Sequence, residues 1–172
     1  PDETADPDAE PGSAAESALL AWIDARVAAT GAAPVAFDFE QSTTVYSRSS
    51  CRSVRIEGRR PDTLVVVAPV NHPESAAAGA QGDVNVALAL ELIRRAREAP
   101  PPVRLEVLFL GAEYGDGPGY PLGSALWLRE RSPATPAAVV YLSLATGAGP
   151  VRVLTSGRGV GAPGWLVAAA AD

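Results

Sequence analysis

Glu113 closes the segment Leu108-Phe109-Leu110-Gly111-Ala112-Glu113, in which an apolar run breaks into a Gly-Ala turn and ends on an acid. A lone carboxylate at the end of a buried strand is where open α/β sheets carry their chemistry. That chemistry would be proton transfer or metal binding. Upstream, Leu64-Val65-Val66-Val67 is a second continuous apolar run, and the loop after it carries the only histidine, His72. Loops at one sheet edge would gather His72 and Glu74 with Asp83, Glu113 and Asp116. The sharp reading is a rearranged metal site built from His72, Glu113 and Asp116. The plain one is a set of solvated loop acids and a histidine capping a turn before Pro73. Glu113 itself is either a retained, idle base or a structural acid accepting turn amides.

These loops share an edge only if their strands are parallel. Residues 64–67 and 103–110 flank a segment, 84–98, with apolar residues at helical spacing. The three pieces predict a βαβ unit with adjacent or near-adjacent parallel strands. In that helix Leu88 and Leu92 are expected inward, and Pro100-Pro101-Pro102 ends it. Pro118 to Pro121 predicts a turn, and Leu122 to Arg131 a short helix burying Leu126 and Trp127. Ala138 to Leu142 predicts a core strand, Val151 to Leu154 a shorter one, and 164–170 the start of a helix. On the N-terminal side, Ser13-Ala14-Ala15-Glu16 has the form of a capping box. The helix after it puts Leu19, Trp22, Ile23 and Val27 on one face and stops at Gly31. Val35, Phe37 and Phe39 alternate, as do Thr43 with Val45 and Val54 with Ile56, which predicts half-buried antiparallel strands on one side of the sheet. The fold class is α/β, a mixed, largely parallel central sheet with helices on both faces.

The 172 residues suffice for one core, and 47% hydrophobic content supports a globular domain. A net charge of −6 argues against nucleic acid or an anionic membrane surface as partner. Arg59-Arg60 and Arg94-Arg95-Arg97 read as a solvated turn and a solvated helix face. Cys51, the single cysteine, has no internal disulfide partner. No segment approaches the ~18 apolar residues that span a bilayer, so no direct membrane insertion is expected. Residues 1–12 are acidic and Pro-rich without an apolar face, which predicts a disordered linker ahead of a domain over 13–172. A serine nucleophile at Ser124 or Ser143 lacks a second histidine. Gly157-Arg158-Gly159-Val160-Gly161 lacks the strand-turn-helix frame of a dinucleotide motif.

Taken in order, these segments resemble the co-catalytic zinc aminopeptidase family, which contains leucyl aminopeptidase, glutamate carboxypeptidase and glutaminyl cyclase. The resemblance runs from Ser47 to Ala170. It rests on Val54 to Gly58 with Pro61 to Val67, on Gly79 to Asp83 with Val86 to Leu92, on Phe109 to Glu113 with Gly123-Ser124, and on Val139 to Leu144. It implies a sheet of the zinc-aminopeptidase type, C-terminally truncated, and two zinc ions held by His and Asp/Glu with a free Glu as general base. The sequence departs from that pattern repeatedly. Where the family has Gly-Ala-His-x-Asp, this chain has Ala68-Pro69-Val70-Asn71-His72, so Val70 stands in the ligand histidine's place. The bridging aspartate falls on Gln81 or Gly82. Glu113-Tyr114 keeps the base position and replaces the metal-binding acid by Tyr. The later aspartate falls on Ser143.

The expectation is therefore a degenerate, non-catalytic member of bacterial origin, with Glu113 as a vestigial base and no cofactor. Such a domain would serve protein or peptide binding, or scaffolding, in a larger protein. The resemblance favours an extracytoplasmic or membrane-tethered setting, with the acidic lead-in as tether. The alternative is an active metallo-aminopeptidase using zinc, with substituted ligands or ligands from a C-terminal segment beyond Asp172.

Overall fold

The structure, a computed structural model, describes residues 11–42, 46–71, 81–114, 122–130, 138–142, 156–157 and 160–161. The elements are α1 (Ala14–Ala29), β1 (Pro34–Ser42), β2 (Tyr46–Ile56), β3 (Arg60–Pro69), α2 (Gln81–Glu98), β4 (Val103–Leu110), α3 (Leu122–Glu130) and β5 (Ala138–Tyr141). Two-residue strands β6 (Ser156–Gly157) and β7 (Val160–Gly161) pair antiparallel with each other. The expected strand at 151–154, the helix start at 164–170 and the turn at 118–121 lie outside the described residues.

The main sheet has the order β1-β2-β4-β3-β5. β3 pairs parallel with both β4 and β5, and β2 pairs antiparallel with β1 and β4. The βαβ unit is therefore as expected: Leu64 lies opposite Leu105 and Val67 opposite Leu108, with α2 between the strands in the chain. Continuous apolar runs suit β3 and β4 because both are covered on two sides. Val66, Ala68, Leu105, Val107 and Phe109 meet α1 and α2, whereas Val65, Val67, Leu108 and Leu110 meet Phe37, Cys51 and Trp127 of α3. Helices on both faces follow from that alternation.

Two helix faces differ from the sequence expectation. In α2 the fully buried hydrophobics are Val86, Ala89, Ile93 and Ala96; Leu92 packs partly buried against that core, as expected, but Leu88 is 46% exposed. The small side chains at 86, 89 and 96 let the helix lie close to the sheet, and only Ile93 is large. In α1, Leu20 joins Leu19, Ile23 and Val27 inside, while Trp22 is 40% exposed, its ring beneath the Arg26 guanidinium at 5.1 Å. That contact screens the indole without burying it. Arg94, Arg95, Glu91 and Glu98 form ion pairs along an exposed stretch of α2, in keeping with a solvated face.

Candidate functional site

Three parallel strands deliver their following residues to one edge of the sheet. β3 leads toward α2 on one face and β4 toward α3 on the other, so a crevice is expected between the ends of β3 and β4. Asn71 stands just past β3 there, and Glu113 just past β4. Their side chains and backbones join: the Glu113 N–H donates to Asn71 Oδ1 at 3.0 Å, and Asn71 Nδ2 donates to the Tyr114 carbonyl at 3.0 Å. The Asn71 amide thus continues the β3–β4 ladder by side chain, and it is buried.

The turn between β4 and α3 is tightly built. Ala112 has φ 51°, a left-handed backbone that an L-residue adopts at a cost of ~1 kcal/mol. Its carbonyl accepts the Leu122 N–H at 2.9 Å, the first amide of α3. Gly123 lets the helix press flat against the turn, since a Cβ there would lie 2.5 Å from the Gly111 oxygen and 2.9 Å from Glu113 Oε1.

Glu113 is only 4% exposed. Its Oε1 accepts the Ser124 N–H at 2.6 Å, and Oε2 accepts the Ser124 hydroxyl at 2.7 Å and the Tyr141 hydroxyl at 3.0 Å. A carboxylate from outside α3 thereby satisfies a first-turn amide and complements the helix dipole. Burial raises the Glu113 pKa, and the bonds from Ser124 and Tyr141 partly offset that rise. Burial first, and then the Glu113 charge and the Tyr114 side chain, push the Tyr141 hydroxyl far above its ordinary value, so it stays a donor.

Val70, which the resemblance sets opposite a ligand histidine, is 2% exposed, packs in the core on the α1–α2 side and donates its N–H to the Leu110 carbonyl at 3.0 Å. It fills that position with hydrocarbon. Tyr114 is half-buried, and its side chain adds to the rise of the Tyr141 hydroxyl. Gln81 and Gly82 open α2, and the side chains of Gln81 and Asp83 lie outside the description. His72, Glu74, Asp116 and Ser143 lie outside the described residues. Among the described residues no three of His, Cys, Asp and Glu lie together as a metal ion would require.

Sequence analysis singled out Glu113 and Tyr114 but assigned no part to Asn71 or Tyr141. Ser124 entered as part of the Gly123-Ser124 pair and as a nucleophile without a partner, not as a donor to Glu113. An Asn directly after a buried strand was the one available signal, because its amide can replace a ladder residue.

No protein-family profile matches the sequence, and no curated protein matches it significantly. Solved structures do share its fold. Porphyromonas gingivalis glutaminyl cyclase superposes with a TM-score of 0.65 at 20% identity, over 77% of this chain and 52% of that one. A leucine aminopeptidase precursor from Bacteroides thetaiotaomicron gives 0.65 at 15% identity, over 77% and 55%. A Zn-dependent exopeptidase from Parabacteroides distasonis gives 0.62 at 14%, again over 77% and 55%. The chain spans about half the length of these structures, and over that span it has the fold shared by glutaminyl cyclases and zinc-dependent exopeptidases.

Proposed function

We propose that this chain is a non-catalytic, peptidase-like domain that binds a protein or peptide partner or scaffolds a larger protein. One observation carries the proposal: the carboxylate in the base position is occupied by three donors of its own protein, holding α3 and β5 to β4. A general base must instead reach the proton of an attacking water, and zinc chemistry needs ligands where Val70 offers hydrocarbon. Tyr114 in place of the metal-binding acid supports the same reading, as does Asn71 bridging the crevice between the ends of β3 and β4. An extracytoplasmic or tethered setting, with residues 1–12 as the tether, belongs to this proposal. No helix among the described residues is long and apolar enough to cross a membrane.

The second reading, a metallo-aminopeptidase with substituted ligands, has one observation in its favour. Burial raises the proton affinity of Glu113, as a base working near neutral pH requires. Elemental analysis of the purified, untagged protein after dialysis against zinc separates the two. The expected result is no stoichiometric zinc and no release of amino acids from aminopeptidase substrates. Near-stoichiometric zinc that is lost on mutating His72, Glu113 or Asp116 would overturn the proposal and establish the rearranged site.

A further inference from the structure

Glu16 belongs to the first turn of α1, far in sequence from the Glu113 turn, yet it is only 2% exposed. Its carboxylate accepts the Gly12 N–H at 2.7 Å and the hydroxyl of Ser49, itself 2% exposed. The helix cap does not need this arrangement, because Ser13 Oγ already accepts the Glu16 N–H at 3.0 Å. What Glu16 and Ser49 do touch is Gly111. A Cβ at 111 would lie 2.0 Å from Ser49 Oγ and 2.4 Å from Glu16 Oε1, so the pair is pressed against a bare Cα. From the opposite side α3 presses the same residue, through the approach of Gly123 to the Gly111 oxygen. Gly111 is the first residue of the turn that carries Glu113.

Burying a carboxylate is costly unless its contacts are needed. Desolvation raises the Glu16 pKa, with only partial relief from Ser49, Gly12 and the nearby Arg52, and Arg52 is itself paired with Asp24 at 2.9 Å. The position is held against that cost by the fit at Gly111.

We infer that Glu16 and Ser49 are positioning residues that clamp the Gly111 turn from the α1 side and so set where Glu113, Ser124 and Tyr141 meet. This goes beyond the proposed function and is independent of it, since the clamp holds whether that edge takes a partner or a metal. The zinc experiment and the one below fail separately.

Cys51 supplies the probe. It is fully buried, and burial with the Glu113 and Glu16 charges pushes the thiol up to about 12, a rise that the nearby Gly111 backbone partly offsets. Such a thiol reacts only when this region opens. The labelling rate of the purified protein with an aromatic disulfide reagent is compared with the unfolding constant from urea melts. In Glu16→Ala and Ser49→Ala, labelling should rise at least about tenfold more than the unfolding constant, the loss of one charge-assisted hydrogen bond. Glu16→Gln, which keeps an acceptor for Ser49, should fall between wild type and Glu16→Ala. Leu20→Ala, a core change on the same helix that leaves Glu16 and Ser49 in place, should raise both quantities in step. Ser49→Ala leaves α1 untouched and carries the test if Glu16→Ala does not fold. Labelling that merely tracks the unfolding constant in Ser49→Ala and Glu16→Gln would overturn the clamp. So would Leu20→Ala matching their excess.

Discussion

Replacing Glu113 by alanine tests the structural role of its carboxylate, and the structure sets the magnitude. The substitution strips the acceptor from Ser124 N–H, the Ser124 hydroxyl and the Tyr141 hydroxyl. The amide is fixed in the first turn of α3 and cannot turn away, so leaving it unpaired costs about 1–3 kcal/mol. The two hydroxyls can rotate, and each loses ~1 kcal/mol. The missing methylene and carboxyl group leave a void that adds about 1 kcal/mol. Against this, relieving a desolvated carboxylate returns roughly 1–2 kcal/mol. The net is a loss of about 2–5 kcal/mol, or a Tm lower by roughly 4–20 °C for a chain of this length. Glu113→Gln should cost no more than about 1 kcal/mol. Its carbonyl still accepts the Ser124 N–H, and both hydroxyls can turn to accept from its NH2. Urea melts followed by far-UV circular dichroism and tryptophan fluorescence measure both variants. An alanine variant within ~0.5 kcal/mol of wild type, or alanine and glutamine variants of equal cost, would refute the argument that Glu113 is held for structure.

Three further outcomes follow from the same geometry. Glu16 and Glu113 both have pKa values raised by burial, so their contribution to stability is full below the unfolded carboxylate pKa and is lost as pH rises through the folded value. The urea midpoint should therefore rise as pH falls from above neutral toward the ordinary carboxylate range, and Glu16→Gln with Glu113→Gln should flatten that rise; a midpoint that falls instead contradicts the assignment. Leu88→Ala should change stability by less than ~0.5 kcal/mol while Ile93→Ala costs about 2–5 kcal/mol, and equal costs in urea melts would return the buried face of α2 to Leu88 and Leu92. Gly123→Ala should cost more than ~2 kcal/mol, because its Cβ meets backbone oxygen at 2.5 Å and cannot be relieved by a side-chain rotation; a neutral variant in the same melts would show that α3 can lift off the turn.

Much of this was decided locally. Continuous apolar runs marked β3 and β4 as doubly covered strands, Pro100-Pro101-Pro102 closed the helix between them, and a helix-length crossover left parallel pairing as the natural solution. Ser13 marked the start of α1 because a capping hydroxyl acts on an amide three residues away. Helix faces were harder to read. In an Ala- and Leu-rich α2 the stripe through Leu88 and Leu92 competes with the one through Val86, Ala89, Ile93 and Ala96, and periodicity alone does not choose between them. Contact with the sheet chose the slimmer stripe, since it brings the helix closest to β3 and β4.

The site lay further still from what order along the chain can tell. Glu113 could be read as a base or as a structural acid because its donors come from elsewhere: Ser124 lies 11 residues on and Tyr141 lies 28 on. Glu16 looked like half of a capping box, yet its main side-chain partner is Ser49, 33 residues away. The sequence by itself determined the main elements and the parallel unit. Only the tertiary structure decided which faces are buried and where each carboxylate's bonds go. The physical reason is range: propensity, capping and periodicity act within a few residues, whereas a buried carboxylate is satisfied by whichever donors the packing of separate elements brings to it.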